Sequence, residues 1–585
     1  MNARDDQQKS VSRRRNFLKK TAKFTAAGAL AGWLPLARIS AAQAANCATP
    51  GNFPLDIALY KQTFQNWAGD IKVDEVWTCA PTDAQQVVKV VNWARDNGYK
   101  VRPRGMMHNW SPLTVPAGAV CPSVVLLDTT SHLTAVSIDT SGPVPQVTAQ
   151  AGISMEALLT ALENAGLGLT ATPAPGDLTL GGVLAINGHG TAVPAKNEQR
   201  PLGATYGSLS NLVLSLKAVV YDTVSRAYIL KTFLRSDPET GALLAHVGRS
   251  LIVEATLQVS PNQRLRCQSW TNIPYTEMFA PKGSGGRTFS SFLDSAGRAE
   301  AIWFPFTDHP WLKVWSVSPV KPTFARETTV PFNYTFSDNL PANLNELAYK
   351  IATLGQGGMT PLFGQTQFTV VGGGLTFTGG WDLWGWSKNL LLYVKPTTLR
   401  ITANGYAVLT RRDNVQRVLN DFATFYRARV AAYQALNRYP MNGPVEIRVT
   451  GLDQPGDVAG ANGVSPILSA IRPRPDHADW DVAIWLDILT FPGTPYANEF
   501  YREVEQWLEA NYNGNDAAVR PEWSKGWGYS NQAAWVDPIA LQTTVPNAFR
   551  AGQPAGSNWD SAVAVLNKYD PHRLYSSALQ DSLGL

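Results

Sequence analysis

The stretch Arg102-Pro103-Arg104-Gly105-Met106-Met107-His108-Asn109-Trp110-Ser111 follows directly on a short strand pattern, Tyr99-Lys100-Val101. A strand running into such a loop aims backbone N–H groups at one point, which suits a phosphate. Pro103 fixes φ on entry, and Gly105 lets the backbone turn and approach a ligand. A second glycine-bearing stretch follows about 75 residues on: Pro173-Ala174-Pro175-Gly176-Asp177-Leu178-Thr179-Leu180-Gly181-Gly182, then Asn187-Gly188-His189-Gly190. Two such loops can converge on one long diphosphate ligand.

The flanking segments alternate strand and helix patterns. Val73-Asp74-Glu75-Val76-Trp77 reads as a strand. Pro81-Thr82-Asp83 opens a helix with Thr82 as N-cap, Val87, Val88, Val90, Val91 and Ala94 as its apolar face, and Asn97-Gly98 as its stop. Val124–Asp128, Val147–Gly152, Leu212–Asp222 and Gly248–Val259 read as further strands, with a helix from Met155 to Asn164 capped by Ser154. No G-x-G-x-x-G opens a helix near the N-terminus, and there is no Walker lysine, so a Rossmann or P-loop reading is disfavoured.

A chain of 585 residues exceeds the usual single domain, and 44% hydrophobic content excludes a disordered protein. The net charge of +5 is carried by residues 1–20, so the remainder is close to neutral and no nucleic-acid footprint is left. Arg14-Arg15-Asn16-Phe17-Leu18-Lys19, a weak apolar stretch from Ala22 to Leu36 and Ala42-Gln43-Ala44 have the form of a twin-arginine export signal cleaved after Ala44. Pro35 and the small residues argue against a permanent membrane span. Export by that machinery predicts a secreted or periplasmic location. The four cysteines, Cys47, Cys79, Cys121 and Cys267, have no metal-site spacing; free buried thiols are expected, and no metal.

Beyond residue 260 aromatic residues crowd together: Trp303, Phe304, Phe306, Trp311, Trp315, Phe324, Phe332, Tyr334 and Phe336 fall within 34 residues. Gly372-Gly373-Gly374 and Gly379-Gly380 are expected to break strands there, and Asp413–Leu436 to form a helix. The density favours a bulky apolar substrate. In Glu446-Ile447-Arg448, on a strand beginning at Pro444, two charges alternate and so share one face. If buried they need each other or a third partner. Ala483–Leu489 reads as a second strand. Arg520-Pro521-Glu522-Trp523-Ser524-Lys525 brings a lysine that could stabilise negative charge, with Asn531 close behind.

The two glycine loops together resemble the flavin-binding region of the vanillyl-alcohol-oxidase family of FAD enzymes. The Glu-x-Arg strand, the leader, the aromatic middle and Lys525-Gly526-Trp527-Gly528-Tyr529-Ser530-Asn531 extend the resemblance, over essentially the whole mature chain, to the type II, covalent-FAD bacterial cholesterol oxidases. This implies an α+β fold: a two-subdomain FAD-binding domain over 45–260, a substrate-cap domain with a mixed or antiparallel sheet flanked by helices over 261–515, and a segment 516–585 returning to the flavin. The leader is 1–44.

The resemblance implies FAD held by Arg104, Gly105, Met106, Met107, Asn109 and Ser111 of the first loop. Pro175, Asp177, Thr179, Gly181, Gly182, Asn187, Gly188 and His189 would serve from the second, and Ile252 and Val253 from the closing strand. His108 would carry the flavin covalently. Glu446 would be the acid/base, Arg448 an electrostatic stabiliser and gate of an oxygen tunnel, Lys525 the cation near the flavin, and Asn531 a group polarising the substrate hydroxyl. Glu300, with Glu277 as alternative, would pair with Arg448. The implied reaction oxidises a 3β-hydroxysteroid with O2, yields H2O2 and isomerises the product to the 4-en-3-one. Rival readings are a sugar, lactone or phenolic alcohol oxidase on the same scaffold, a dehydrogenase with another acceptor, and an exported apolar-ligand binding protein.

Overall fold

The computed structural model describes residues 47–170, 172–174, 176, 178–334, 340–391, 393, 395 and 398–585. The twin-arginine leader, its cleavage site, Pro175, Asp177 and Phe336 lie outside them.

Four strands open the chain: β1 (Ala58–Gln65), β2 (Lys72–Ala80), β3 (Lys100–Arg104) and β4 (Val124–Asp128). They form one sheet in the order β1-β2-β4-β3, parallel on both sides of β4. The helix Ala84–Asn97 crosses between β2 and β3, burying Val87, Val90, Val91 and Ala94. Its N-cap is Asp83, not Thr82: the Asp83 carboxylate accepts from the N–H groups of Gln85 and Gln86 at 2.8 and 2.9 Å. A carboxylate reaches two orphan donors and favours the positive end of the helix, so it outcompetes the neighbouring hydroxyl. Gly98, at φ 72°, stops the helix in the left-handed conformation.

There follow β5 (Val136–Asp139), β6 (Gln146–Gln150), β7 (Leu167–Gly168), β8 (Val213–Asp222), β9 (Ala227–Leu234), β10 (Leu251–Gln258) and β11 (Ser260–Pro261). A five-stranded antiparallel sheet runs β5-β6-β10-β8-β9, and β7 pairs with β11. Ser154 caps the helix Met155–Asn164 by accepting from Ala157 N at 3.1 Å.

The rest of the chain builds β12 (Arg264–Trp270), β13 (Arg298–Trp303), β14 (Trp311–Val317), β15 (Arg326–Thr328), β16 (Asp382–Trp386), β17 (Thr402–Thr410), β18 (Val445–Gly451), β19 (Val482–Thr490) and β20 (Ala517–Pro521). These form one nine-stranded sheet, β15-β16-β12-β14-β13-β18-β19-β17-β20, antiparallel except at β15–β16. Every residue of β19 is buried, which is why it reads as an unbroken apolar run rather than an alternation.

Two expectations are corrected. Gly372, Gly373 and Gly374 do not break strands; the helix Thr360–Thr378 runs through them and ends at Gly379, φ 63°. Each helical glycine costs about 1 kcal/mol, and burial of Phe363, Val371 and Leu375 outweighs it. Second, Cys47 and Cys121 form a disulfide, with Cα atoms 5.3 Å apart; only Cys79 and Cys267 are free and buried. The long excursion between β3 and β4 carries Cys121 back to the first described residue, a proximity that spacing along the chain does not reveal. Among the described residues no helix is long and apolar enough to cross a membrane.

Candidate active site

The two glycine loops meet. A Cβ on Gly105 would stand 2.4 Å from the Thr179 hydroxyl oxygen, so only glycine fits there. Thr179 in turn caps the short helix Leu180–Ala185. Gly181 lies against Ala151, to whose carbonyl its N–H donates at 2.8 Å, while Ala151 N–H donates to Val253 O at 2.9 Å. The backbone of β10 therefore seats the second loop, and the side chains of Ile252 and Val253 stay in the core.

The other residues of the loops divide by role. Arg104 pairs with Asp128 at 3.1 Å. Asn109 donates to Ser111 O at 2.7 Å, and the buried Ser111 hydroxyl donates to Trp523 O at 3.3 Å, tying the first loop to the C-terminal segment. Met106 is half-buried, and Met107, at φ 58°, packs against the core beside β1 and β2. The Asn187 side chain is fully engaged with Ser208, Asp453 and Ser469, so it offers the site only its backbone.

His108, Asn187, Gly188 and His189 line a cavity together with Glu300, Glu446, Arg448, Glu522 and Lys525. Its remaining walls are largely apolar and include Leu169, Leu265, Trp315, Phe363, Ile401 and Phe491. Of the aromatic cluster, Trp315 reaches the cavity, while Trp303 and Trp311 are core.

His108 stacks on Trp67 with ring centres 4.1 Å apart and meets Trp110 edge-on at 5.4 Å. Burial, then the nearby Lys525 and Arg400, push its imidazole down to about 3, so the ring is neutral at ordinary pH. Its Nδ1 is buried and has no hydrogen-bond partner among the described residues. His189 stacks on Trp485 at 3.5 Å and lies 3.7 Å from Glu522.

The cavity floor carries a row of alternating charges. Glu300 of β13 stands opposite Arg448 of β18 in the sheet register, and Glu446 opposite Asp487 of β19. Arg448 Nη1 donates to Glu446 at 3.1 Å and to Glu300 at 3.3 Å, and Nη2 contacts Asp487. Lys525 Nζ donates to Asp487 at 2.7 Å and lies 3.4 Å from Glu522. Burial and then Glu522 push the Asp487 carboxyl up to about 7, against the pull of Lys525 and Arg448. Burial opposes charge on Arg448 and Lys525 too, but their carboxylate neighbours raise both. For Glu300 burial prevails over Lys313 and Arg448, and its carboxyl rises.

A sequence model described as "Cholesterol oxidase, substrate-binding" matches residues 264–584, and one described as "FAD binding domain" matches 77–222. The chain belongs to the cholesterol oxidase family. It is similar to a solved structure titled solvent-stable cholesterol oxidase, at 74% identity and TM-score 0.91, over 92% of this chain and 100% of that one. Two structures of the cholesterol oxidase from Brevibacterium sterolicum, one of them a histidine-to-alanine mutant, match at 48% identity and TM-score 0.90, over 92% of this chain and 100% of theirs. The L-gulonolactone oxidase of Bos taurus is 27% identical over 248 residues, 42% of this chain and 49% of that protein, so the chain spans about half the length of this relative.

As in its family, the chain is a flavoprotein with FAD as cofactor. The residues present fit that group: the loops touch where Gly105 leaves no room for a side chain, and His108 presents an unpartnered nitrogen inside the cavity. Asn531 does not belong to this oxidase cavity. It is exposed and accepts from Arg502 at 3.1 Å, because the chain turns outward after Tyr529. Glu277 is likewise elsewhere, paired with Arg287, which leaves Glu300 as the neighbour of Arg448.

Three charged residues escaped the sequence reading: Asp487, Glu522 and Lys313. Asp487 had a usable signal, a lone carboxylate inside an apolar strand. Glu522 stands three residues before Lys525 in the same quoted motif.

Proposed function

We propose that this enzyme oxidises the 3β-hydroxyl of cholesterol-like steroids with O2, releasing H2O2, and moves the ring double bond into conjugation to give the 4-en-3-one. Flavin-dependent sterol oxidation is the activity of its family. The observation that carries the finer reading is the Glu446–Arg448–Glu300 cluster set in an apolar cavity beside the two loops. When bound, FAD would supply the hydride acceptor and pass the electrons to O2; His108 would be its covalent attachment and Lys525 would supply a positive charge to it.

Glu446 takes the hydroxyl proton as hydride leaves the carbinol carbon, which prevents positive charge from building there. Its carboxylate is held by Arg448, which also meets Glu300 and Asp487. Once it has given up the hydroxyl proton, the same carboxylate would take a proton from C4 and return it at C6 as the double bond shifts, which balances the isomerisation. His108 would hold the flavin: its imidazole is neutral, and its buried Nδ1 has no hydrogen-bond partner among the described residues. We further assign 45–260 to flavin binding, 261–515 to the substrate cap and 516–585 to a segment serving the flavin site, and infer export through the twin-arginine leader to a secreted or periplasmic location.

The test is a denaturing gel of acid-precipitated protein. Flavin fluorescence in the wild-type band that is lost in His108→Ala supports the covalent link; fluorescence retained in the variant refutes it. Peroxide release on adding a 3β-hydroxysterol, falling at least about 100-fold in Glu446→Gln, supports the acid/base role. Release unchanged in that variant removes it.

A further inference from the structure

Lys313 lies on β14 directly opposite Glu300 of β13, which is itself opposite Arg448 of β18. The three side chains form one in-register row across adjacent strands, positive, negative, positive. Directly opposed side chains share a face of the sheet, and their Cβ atoms stand about 4.5–5.5 Å apart. Glu300 divides its oxygens between the two cations: Oε1 accepts from Arg448 Nη1 at 3.3 Å, and Oε2 faces Lys313 Nζ at 3.8 Å.

The ammonium is fully buried and makes no hydrogen bond among the described residues, and burial lowers its affinity for the proton, with Glu300 as the largest opposing influence. Instead it sits over three rings: Tyr334 at 4.1 Å, Trp315 at 4.6 Å and Trp311 at 5.4 Å. Such faces attract a cation most strongly when water is excluded. The other titratable groups facing the pair are Glu446 and Cys267. Burial pushes the Cys267 thiol up to about 11, so it brings no charge.

We propose that Lys313 is a positioning residue of the oxidase: its caged ammonium favours the ionised form of Glu300 against the pull of burial and so draws one arm of Arg448 off Glu446. The proposal rests on the reading of Glu446 as the acid/base. A buried carboxylate left with a shared guanidinium alone takes up a proton. Glu300, once neutral, no longer competes for Nη1. The guanidinium then serves Glu446 and Asp487 only, and Glu446 holds its negative charge more firmly. A base so stabilised accepts a proton less readily, and the acid limb of kcat/KM moves to lower pH.

The test compares wild type, Lys313→Met, Glu300→Gln and the double variant, all as flavin-loaded enzyme. Two readouts are taken: the pH profile of kcat/KM, and the infrared C=O band of a protonated buried carboxyl. Lys313→Met is expected to show a new band near neutral pH, and an acid limb lower by about one pH unit, the size of a tenfold change in proton affinity. Both effects are expected to vanish in the Glu300→Gln background. Equal losses of activity in both backgrounds, with no band and an unmoved limb, would overturn the proposal and leave Lys313 a packing residue. A band without a shifted limb would overturn it as well, since Glu300 would then not act through Arg448. Should Lys313→Met fail to fold, restoration of folding by Glu300→Gln supports the coupling, and failure to restore it refutes it. The infrared readout does not involve Glu446, so the fall of its acid/base role, seen when Glu446→Gln keeps the acid limb, is separately visible.

Discussion

Gly105 of the first loop and Thr179 of the second are in contact so close that no side chain can be placed on Gly105: its Cβ would lie 2.4 Å from the Thr179 Oγ1 and 3.1 Å from its Cγ2. Thr179 cannot yield easily, because the same hydroxyl caps the helix Leu180–Ala185 through Gly182 N–H. The two loops proposed to hold the cofactor are therefore locked to one another by a residue with no side chain.

Gly105→Ala should part the loops and lower flavin content before it unfolds the chain. Overpacking of this kind costs about 1–3 kcal/mol, and all of it falls on the cofactor cradle. The ratio of flavin to protein absorbance in purified samples measures the effect. Gly105→Ala/Thr179→Ala, which removes the opposing hydroxyl, should recover part of the flavin. Full flavin content in Gly105→Ala would show that the contact is not what holds the loops in register.

Asp487 is the shared anion of Lys525 and Arg448, and its side chain is wholly inaccessible. Asp487→Asn leaves two buried cations competing for Glu522, Glu446 and Glu300. Breaking a buried pair from one side typically costs about 3–5 kcal/mol, and a loss of this size is expected in urea unfolding. Asp487→Asn/Lys525→Met removes one uncompensated cation and should regain stability while remaining catalytically impaired. Equal stability of the single and double variants would mean that Lys525 finds adequate company in Glu522.

The Cys47–Cys121 bridge closes a sequence separation of 74 residues. The chain-entropy relation gives about 4 kcal/mol for a loop of this length. Cys121→Ser, or wild type kept in reductant, should show the same lowered denaturation midpoint. A wild-type midpoint that reductant leaves unmoved would mean that the enclosed segment is held as firmly by its packing around Val115 and Val124.

How far the site could be read from sequence follows from how its residues are brought together. Glu446 and Arg448 are two residues apart on a strand, so their common face follows from the period of the strand alone. Glu300 is 148 residues from Arg448, and only the register of β13 on β18 makes them neighbours. Asp487 was hidden in an apolar run, because a strand covered on both faces shows no alternation to be broken. Asn531 shows the opposite: it lies close to Lys525 along the chain, but the turn after Tyr529 carries it outward to Arg502. The glycines at 372–374 mislead because local propensity lost to the packing of Val371 and Leu375. The meeting of the two loops was legible, because the glycine that permits their contact stands out in the sequence.

His246 provides the clearest dependence of stability on pH. It is buried, its Nδ1 accepts from Ser250 N at 3.2 Å, and its Nε2 has no partner among the described residues. Burial, then the adjacent Arg102 and Arg249, depress it from 6.5 to about 3. The sign follows from linkage: in the window below about pH 6.5 and above about 3, the unfolded chain binds a proton that the folded one refuses. The histidine's contribution is thus complete above that window and is lost as pH falls through it, at about 1.4 kcal/mol per unit. Between pH 7.5 and 5.5 the loss from this one group should be about 1.4 kcal/mol, before most carboxylates titrate. His246→Asn keeps an acceptor for Ser250 N–H but no titrating ring. The difference in unfolding free energy between wild type and variant should therefore shift by that amount, in favour of the variant, as pH drops. A difference that stays constant across the two pH values would require that His246 takes up its proton in the folded protein, with Arg102 and Arg249 moving away to admit it.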